Sequence, residues 1–392
     1  MAAQSGGILR RRDGHEAHVS YAELFFDLIY AFAVTQLSHT LLHHLTIVGA
    51  IETAVLWFAV WLVWQYTCWF TNWFEPEAMP IRIGLFVVML LGLIMAAALP
   101  QAFGARGLVF AGCCAAIQVG RTAYGLFFLS RSNDPLAANF RRLLGWNLIA
   151  AVFWIAGAFA AGEFRILLWI VAVGSEYFSP MIGLWLPGLG RSQTSDWTVE
   201  GGHMVERCAL FVILGLGESV LVTGGTIAAT TQWDFPGLAA FLVAFVGSIA
   251  MWWMYFDTSS RAATEFIVHS RDPGRFAAYI NYTHVILIAG IIVAAVGNDL
   301  SIEHPHDVVG TAGVAVLFGG PAIYIVGNAL YKRVIYGRIP LSHVIGLVLL
   351  AAALPFAFAM DFLAAGLTTT VILAIVAGWE AASRRRPAVR AA

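Results

Sequence analysis

Two carboxylates, Glu23 and Asp27, stand four residues apart inside the apolar run ELFFDLIYAFAVTQLSH at residues 23–39. In a helix that spacing puts both on one face, and at 100° per residue Tyr30 and Ser38 fall on nearly the same stripe. An ionisable group in hydrocarbon is costly, so these acids are expected either to line a proton, ion or substrate path or to pair with a neighbouring helix. A second run, HMVERCALFVILGLGESVLVTGG at residues 203–225, holds Glu206 and Arg207 near one end and Glu218 far inside. Arg207 and Glu218 are eleven residues apart, about 20° around a helix, so both can face one interior. The bland reading is an ion pair from Arg121 or Arg207 to Glu218 that fixes helix packing. Tyr66, Asp257 and His284 complete the candidate path, with Glu176 and Asp299 as further acids inside or at the edge of apolar runs.

A second chemistry is metal binding. His39 and His43 lie at i and i+4, a spacing that suits Zn or Cu. No HExxH-type carboxylate accompanies them, so they are weak candidates and no metal is assigned. The four cysteines lie in apolar runs without CxxC spacing, which indicates neither a disulfide framework nor a thiolate metal site. No Walker motif, intact GxGxxG, GxSxG or CxxCH occurs, so no cofactor is expected and nucleotide-driven transport loses support.

The elements that must carry these groups are set by composition. The 392 residues are 60% hydrophobic and only 11% charged, with a mean hydropathy of +0.78, against about 25% charged in a soluble domain. This composition specifies an all-α polytopic integral membrane protein. A net charge of -1 gives no field for nucleic acid. Dividing the chain at polar, Pro and Gly clusters predicts twelve transmembrane helices, at about 21–43, 47–72, 81–103, 107–130, 143–162, 165–188, 203–228, 235–258, 276–297, 308–331, 340–360 and 362–383. The last two are separated only by Asp361.

Orientation follows from the excess of Lys and Arg in cytoplasmic loops. With the N-terminus inside, 18 of the 22 Lys and Arg fall in inner segments. Arg106 and Arg165 fall outside, and Arg121 and Arg207 fall within predicted spans. Both termini are therefore read as cytoplasmic. The predicted organisation is a cytoplasmic segment 1–20, a first six-helix half 21–190, a linker 191–202, a second six-helix half 203–383 and a basic tail 384–392. Weak recurrences suggest two parallel repeats: His18, Glu23 and Gln36 against His203, Glu206 and Glu218, and Trp64-Gln65-Tyr66 against Trp253-Met254-Tyr255.

The runs 23–39, ERCALFVILGLGESV at 206–220, WWMYFD at 252–257 and YTHVILIAGIIVAAVGNDL at 282–300 resemble the bacterial low temperature requirement protein A (LtrA) family, over about residues 18 to 385. That resemblance implies a multi-pass protein of the bacterial cell (cytoplasmic) membrane and no settled activity. FFDLIYAFA also looks like a Phe-Ser-Asp signature of a potassium channel family built from six-helix repeats, with Phe26 at the Ser position. The function expected first is a secondary transporter, with proton coupling as one option, using the carboxylates on the first and seventh helices. The alternatives are a cation channel with those helices lining the pore, or an intramembrane enzyme acting on a lipid or isoprenoid. The expected partners are the lipid bilayer, a proton or other small ion and an unidentified small substrate, with a homo-oligomer left open and no nucleic acid.

Overall fold

The computed structural model describes residues 7–10, 18–132, 134–229, 233–257, 266–267, 270 and 272–385. Arg11, Arg12, Arg261, Arg271, Arg386 and Arg390, used above to orient the chain, lie outside the described residues. Among those described there are twelve α-helices and isolated β-bridges but no strand. The first six are α1 (Tyr21–His43), α2 (Ile47–Trp73), α3 (Met79–Ala98), α4 (Gly107–Arg131), α5 (Leu136–Phe159) and α6 (Glu163–Met181). The remaining six are α7 (Gly201–Ala229), α8 (Phe235–Phe256), α9 (Pro273–Glu303), α10 (Thr311–Tyr336), α11 (Leu341–Ala357) and α12 (Phe362–Arg385). Among the described residues, nine helices are long and apolar enough to cross a bilayer. The chain is a multi-pass membrane protein. Of the other three, α4 carries Gln118 and Arg121 inside its run, α6 carries Glu163, Arg165 and Glu176, and α11 has 17 residues.

All twelve predicted spans correspond to a helix, and local chemistry moves several ends. Helix α5 starts at Leu136 rather than 143 because the Asp134 carboxylate accepts the Leu136 N–H at 2.9 Å. Helix α6 stops at Met181, short of 188, because Pro180 sits in its last turn and Gly183 follows with φ +67°. The boundary at Asp361 holds, because its carboxylate accepts the Ala364 N–H at 2.7 Å and starts α12.

The chain divides into two compact units, one of residues 1–207 with 270–277, the other of 208–269 with 278–392. In the first unit α1 packs on α2 and α3, α4 on α3 and α5, and α2 and α5 each pack on α6. An aromatic core of Phe70, Trp73, Phe74 and Phe140 packs in this bundle, Phe70 stacked on Phe74 and Phe140 edge-on to Trp73 and Phe74. Residues 8–10 return to it: Glu75 N–H donates to the Ile8 carbonyl and Arg10 N–H to the Trp73 carbonyl, both at 2.9 Å. In the second unit α8 packs on α12, and α10 packs on α11 and α12. Helices α9 and α10 touch backbone to backbone. A Cβ at Gly290 would meet the Tyr324 nitrogen at 2.3 Å, and one at Gly327 would meet the Leu287 nitrogen at 2.5 Å. Small residues of this kind let membrane helices approach where no hydrophobic force drives them together.

Candidate functional site

The site is built in the first unit by two helical i,i+4 pairs facing one another: Glu23 and Asp27 on α1, His203 and Arg207 on α7. All four side chains are buried. Glu23 is the third residue of a helix capped by Ser20. Its N–H donates to the Ser20 hydroxyl at 3.3 Å, and its Oε2 accepts the Ser20 N–H at 2.9 Å and the Ser20 O–H at 3.0 Å. The same carboxylate is 3.4 Å from Arg10 Nη2, 2.9 Å from His203 Nε2 and 3.0 Å from Arg207 Nη1. Glu23 is thus a saturated carboxylate, fixed both to its own helix end and to three neighbours.

The neighbours also assign the His203 proton. A carboxylate only accepts, so Nε2 carries hydrogen toward Glu23. The Asn72 amide is oriented by Glu200: its Oδ1 accepts the Glu200 N–H at 3.0 Å and its Nδ2 donates to the Glu200 carbonyl at 2.8 Å. The same Nδ2 lies 3.1 Å from His203 Nδ1, which must accept. The arrangement selects the neutral imidazole, because a second ring proton would face an amide donor.

Asp27, one turn deeper, is held on one side only. Its Oδ1 accepts from Arg207 Nη2 at 2.5 Å and from Trp64 Nε1 at 2.7 Å, while Oδ2 has no hydrogen-bond partner among the described residues. The Arg207 guanidinium lies over the Phe26 and Trp64 rings, 5.7 and 5.9 Å from their centroids, and among the described residues its Nε is also without an acceptor. The Tyr30 hydroxyl, next along the stripe, is buried and has no partner among the described residues either. Buried polar atoms normally find partners. An unpaired acceptor, donor and hydroxyl carried by Asp27, its ion-pair partner and the adjacent tyrosine mark groups that can take a proton or a small polar guest.

A second polar array occupies α2, α4, α5 and α6. Arg121 donates to the Val63 carbonyl at 3.3 Å, to Thr67 Oγ1 at 2.9 Å and to Gln118 Oε1 at 2.5 Å. Gln118 Nε2 donates to Glu176 Oε1 at 2.7 Å, and Trp154 Nε1 lies 3.4 Å from the other Glu176 oxygen. Helix α2 serves both arrays, Trp64 reaching Asp27 while Val63 and Thr67 reach Arg121.

The remaining sequence candidates are dispersed. Ser38 is buried and its hydroxyl bonds the Val34 carbonyl of its own helix at 3.2 Å. Tyr66 donates to the Glu176 carbonyl at 3.2 Å. Glu206 is half-buried and accepts the Val19 N–H. Glu218 is half-buried and enters no ion pair among the described residues, whereas Arg207 pairs with Glu23 and Asp27. The packing pair expected from Arg121 or Arg207 to Glu218 is therefore replaced by the α1 carboxylates for Arg207 and by neutral acceptors for Arg121. Asp257 is exposed at the end of α8. His284, buried in the second unit, donates from Nδ1 to the Ile280 carbonyl at 2.7 Å and accepts the Tyr255 hydroxyl at 2.8 Å through Nε2. His39 and His43 are exposed, and among the described residues no group of three His, Cys, Asp or Glu is placed to hold a metal.

The model of the bacterial low temperature requirement A protein (LtrA) family matches residues 18–378. The chain belongs to the LtrA family. A relative from Rhizobium meliloti (strain 1021), described as an uncharacterized protein, is 36% identical over 384 residues, covering 97% of this chain and 93% of its own. No solved structure matches. Sequence reasoning within this LtrA chain found Glu23, Asp27 and Arg207 but left out their partners Arg10, His203, Asn72 and Trp64. It also passed over Lys332, buried in the second unit at 2.6 Å from Glu380, with the Ser342 hydroxyl on the same carboxylate. A charge inside a predicted span was the available signal for Arg121. Asn72 carried none, because only the packing of α2 against α7 aims it at His203.

Proposed function

We propose that this LtrA family member is a secondary transporter of the bacterial cytoplasmic membrane, coupled to protons or another small cation, with Asp27 as the exchangeable carboxylate. The observation that carries this reading is the half-satisfied Asp27, buried in a membrane protein with one oxygen unpaired beside Arg207. Deep ionisable groups of this kind belong to ion pathways and proton relays in membrane proteins. In this scheme Glu23 stays ionised and holds Arg207 in place. Asp27 alternates between the Arg207 ion pair and a neutral or guest-bound form, which changes the charge of the cluster by one without dismantling it. Glu218 on α7 supplies the second deep acid. The twelve helices act as spans with both termini cytoplasmic and form two parallel six-helix repeats.

The test is flux into liposomes containing purified protein, under imposed proton and potassium gradients, comparing wild type with Asp27→Asn and Glu218→Gln. Saturable flux in the wild type that is lost in both folded variants supports the scheme. Large passive currents select a channel instead, and normal flux in Asp27→Asn removes that residue from the mechanism.

A further inference from the structure

Buried cations in a membrane protein require a counter-charge, and the described residues show how consistently this chain supplies one. Arg10 has Glu23, Arg207 has Glu23 and Asp27, and Lys332 has Glu380, each within 3.4 Å. Arg121 differs. It is 5% exposed, it stands ten residues or about 15 Å from the end of α4 at Arg131, and among the described residues no carboxylate lies within ion-pair distance, the buried Glu176 reaching it only through the Gln118 amide. Its three hydrogen bonds go to neutral acceptors, the Val63 carbonyl, Thr67 and Gln118. A guanidinium has five N–H donors and is always charged. Two donors, the Nε–H and one on Nη2, therefore remain, and they are of the type that grips a carboxylate in parallel bonds.

Arg121 is also part of the lining of a cavity of about 270 Å³ between α2, α3 and α4. The walls are apolar, with Phe70 from α2 and Ile83 and Val87 from α3, and Gly120 beside Arg121 on α4. Ile83 and Val87 are 55% and 53% exposed, so the groove opens onto the apolar, lipid-facing surface of α3, one of the helices able to cross the bilayer. The volume lies near the low end of small-molecule pockets, about 300 Å³, which suits one acyl chain rather than the two of a glycerophospholipid. Beyond Arg121, the polar lining is only Thr67 and the Tyr124 ring edge, and the Tyr124 hydroxyl is already spent on the Pro80 carbonyl at 3.0 Å. A phosphodiester headgroup with its attached alcohol would find no further partners there.

We propose that this groove binds a fatty acid from the bilayer, its carboxylate on the two remaining donors of Arg121 and its chain in the cleft between α3 and α4. The site is distinct from the Asp27 cluster, and its occupancy does not depend on the transport reading. The single bound carboxylate gives Arg121 the direct ion pair that Arg10, Arg207 and Lys332 make within the protein.

The experiment uses the full chain in nanodiscs of zwitterionic lipid and a palmitic acid probe with a photoreactive diazirine near its chain end. The probe is crosslinked by light and the labelled peptides are identified by mass. Labelling is expected within 83–91 and 116–124, competed by palmitate and not by its methyl ester. Arg121→Gln should reduce it about tenfold, the loss of one charge-assisted contact. Gly120→Leu should do the same by filling the groove, and it keeps the test sound if Arg121→Gln fails to fold, because a Cβ at Gly120 meets nothing within 4 Å. Equal competition by the ester, labelling spread over all lipid-facing helices, or undiminished labelling of folded Gly120→Leu would each overturn the proposal.

Discussion

Glu23 and Asp27 sit one helical turn apart on α1, both with no exposed surface, yet their surroundings are opposite. Glu23 accepts from Ser20 twice and faces Arg10, His203 and Arg207. Asp27 uses one oxygen for Arg207 and Trp64 and leaves the other unpaired. The sequence presents two equal acids on one face; the fold makes one a fixed anchor and leaves the other able to change state. Function is expected at the under-satisfied end, because a carboxylate with five partners loses too much by being protonated.

The strongest way to break this contrast is to remove the arginine both acids share. Arg207→Met leaves two buried carboxylates against Arg10 alone and should destabilise the protein by about 3–5 kcal/mol, read as a loss of folded yield or a large fall in detergent melting temperature. Glu23→Gln should come next, at about 2–3 kcal/mol, because Arg207 keeps Asp27 while one oxygen becomes an amide donor facing either Arg10 and Ser20 or His203 and Arg207. Asn72→Ala removes the amide that fixes the His203 proton and should cost about 1–2 kcal/mol. Asp27→Asn should cost about 1 kcal/mol, since the amide oxygen still accepts from Trp64 and Arg207 keeps Glu23, while flux is abolished. Ser38→Ala should fall within about 0.5 kcal/mol and leave flux intact, because that hydroxyl serves only its own helix.

The fold was legible because the bilayer imposes a simple rule. A run of about 20 apolar residues must be a helix, and even the Asp361 boundary could be placed. Ends displaced from the expected positions, as in α5 and α6, were set by a capping aspartate and by a proline with a positive-φ glycine. The acids of the site were visible as charges in apolar runs. Their ranking was not, since Glu23 and Asp27 differ only through Ser20, Arg10, His203 and Trp64, which arrive from a cap, a returning N-terminal segment and two other helices. Glu218 illustrates the converse: its place along α7 does not fix which way the side chain faces, and it is half-buried with no ion pair among the described residues.

The most direct test of the division between the two acids is an infrared difference spectrum of the membrane-embedded protein between alkaline and acidic pH, following the carbonyl stretch of protonated carboxyl groups. A protonated-carboxyl band that disappears in Asp27→Asn and persists in Glu23→Gln is the predicted result. A band that survives Asp27→Asn and is lost in Glu23→Gln would contradict the account, because it would make the saturated carboxylate the one that changes state.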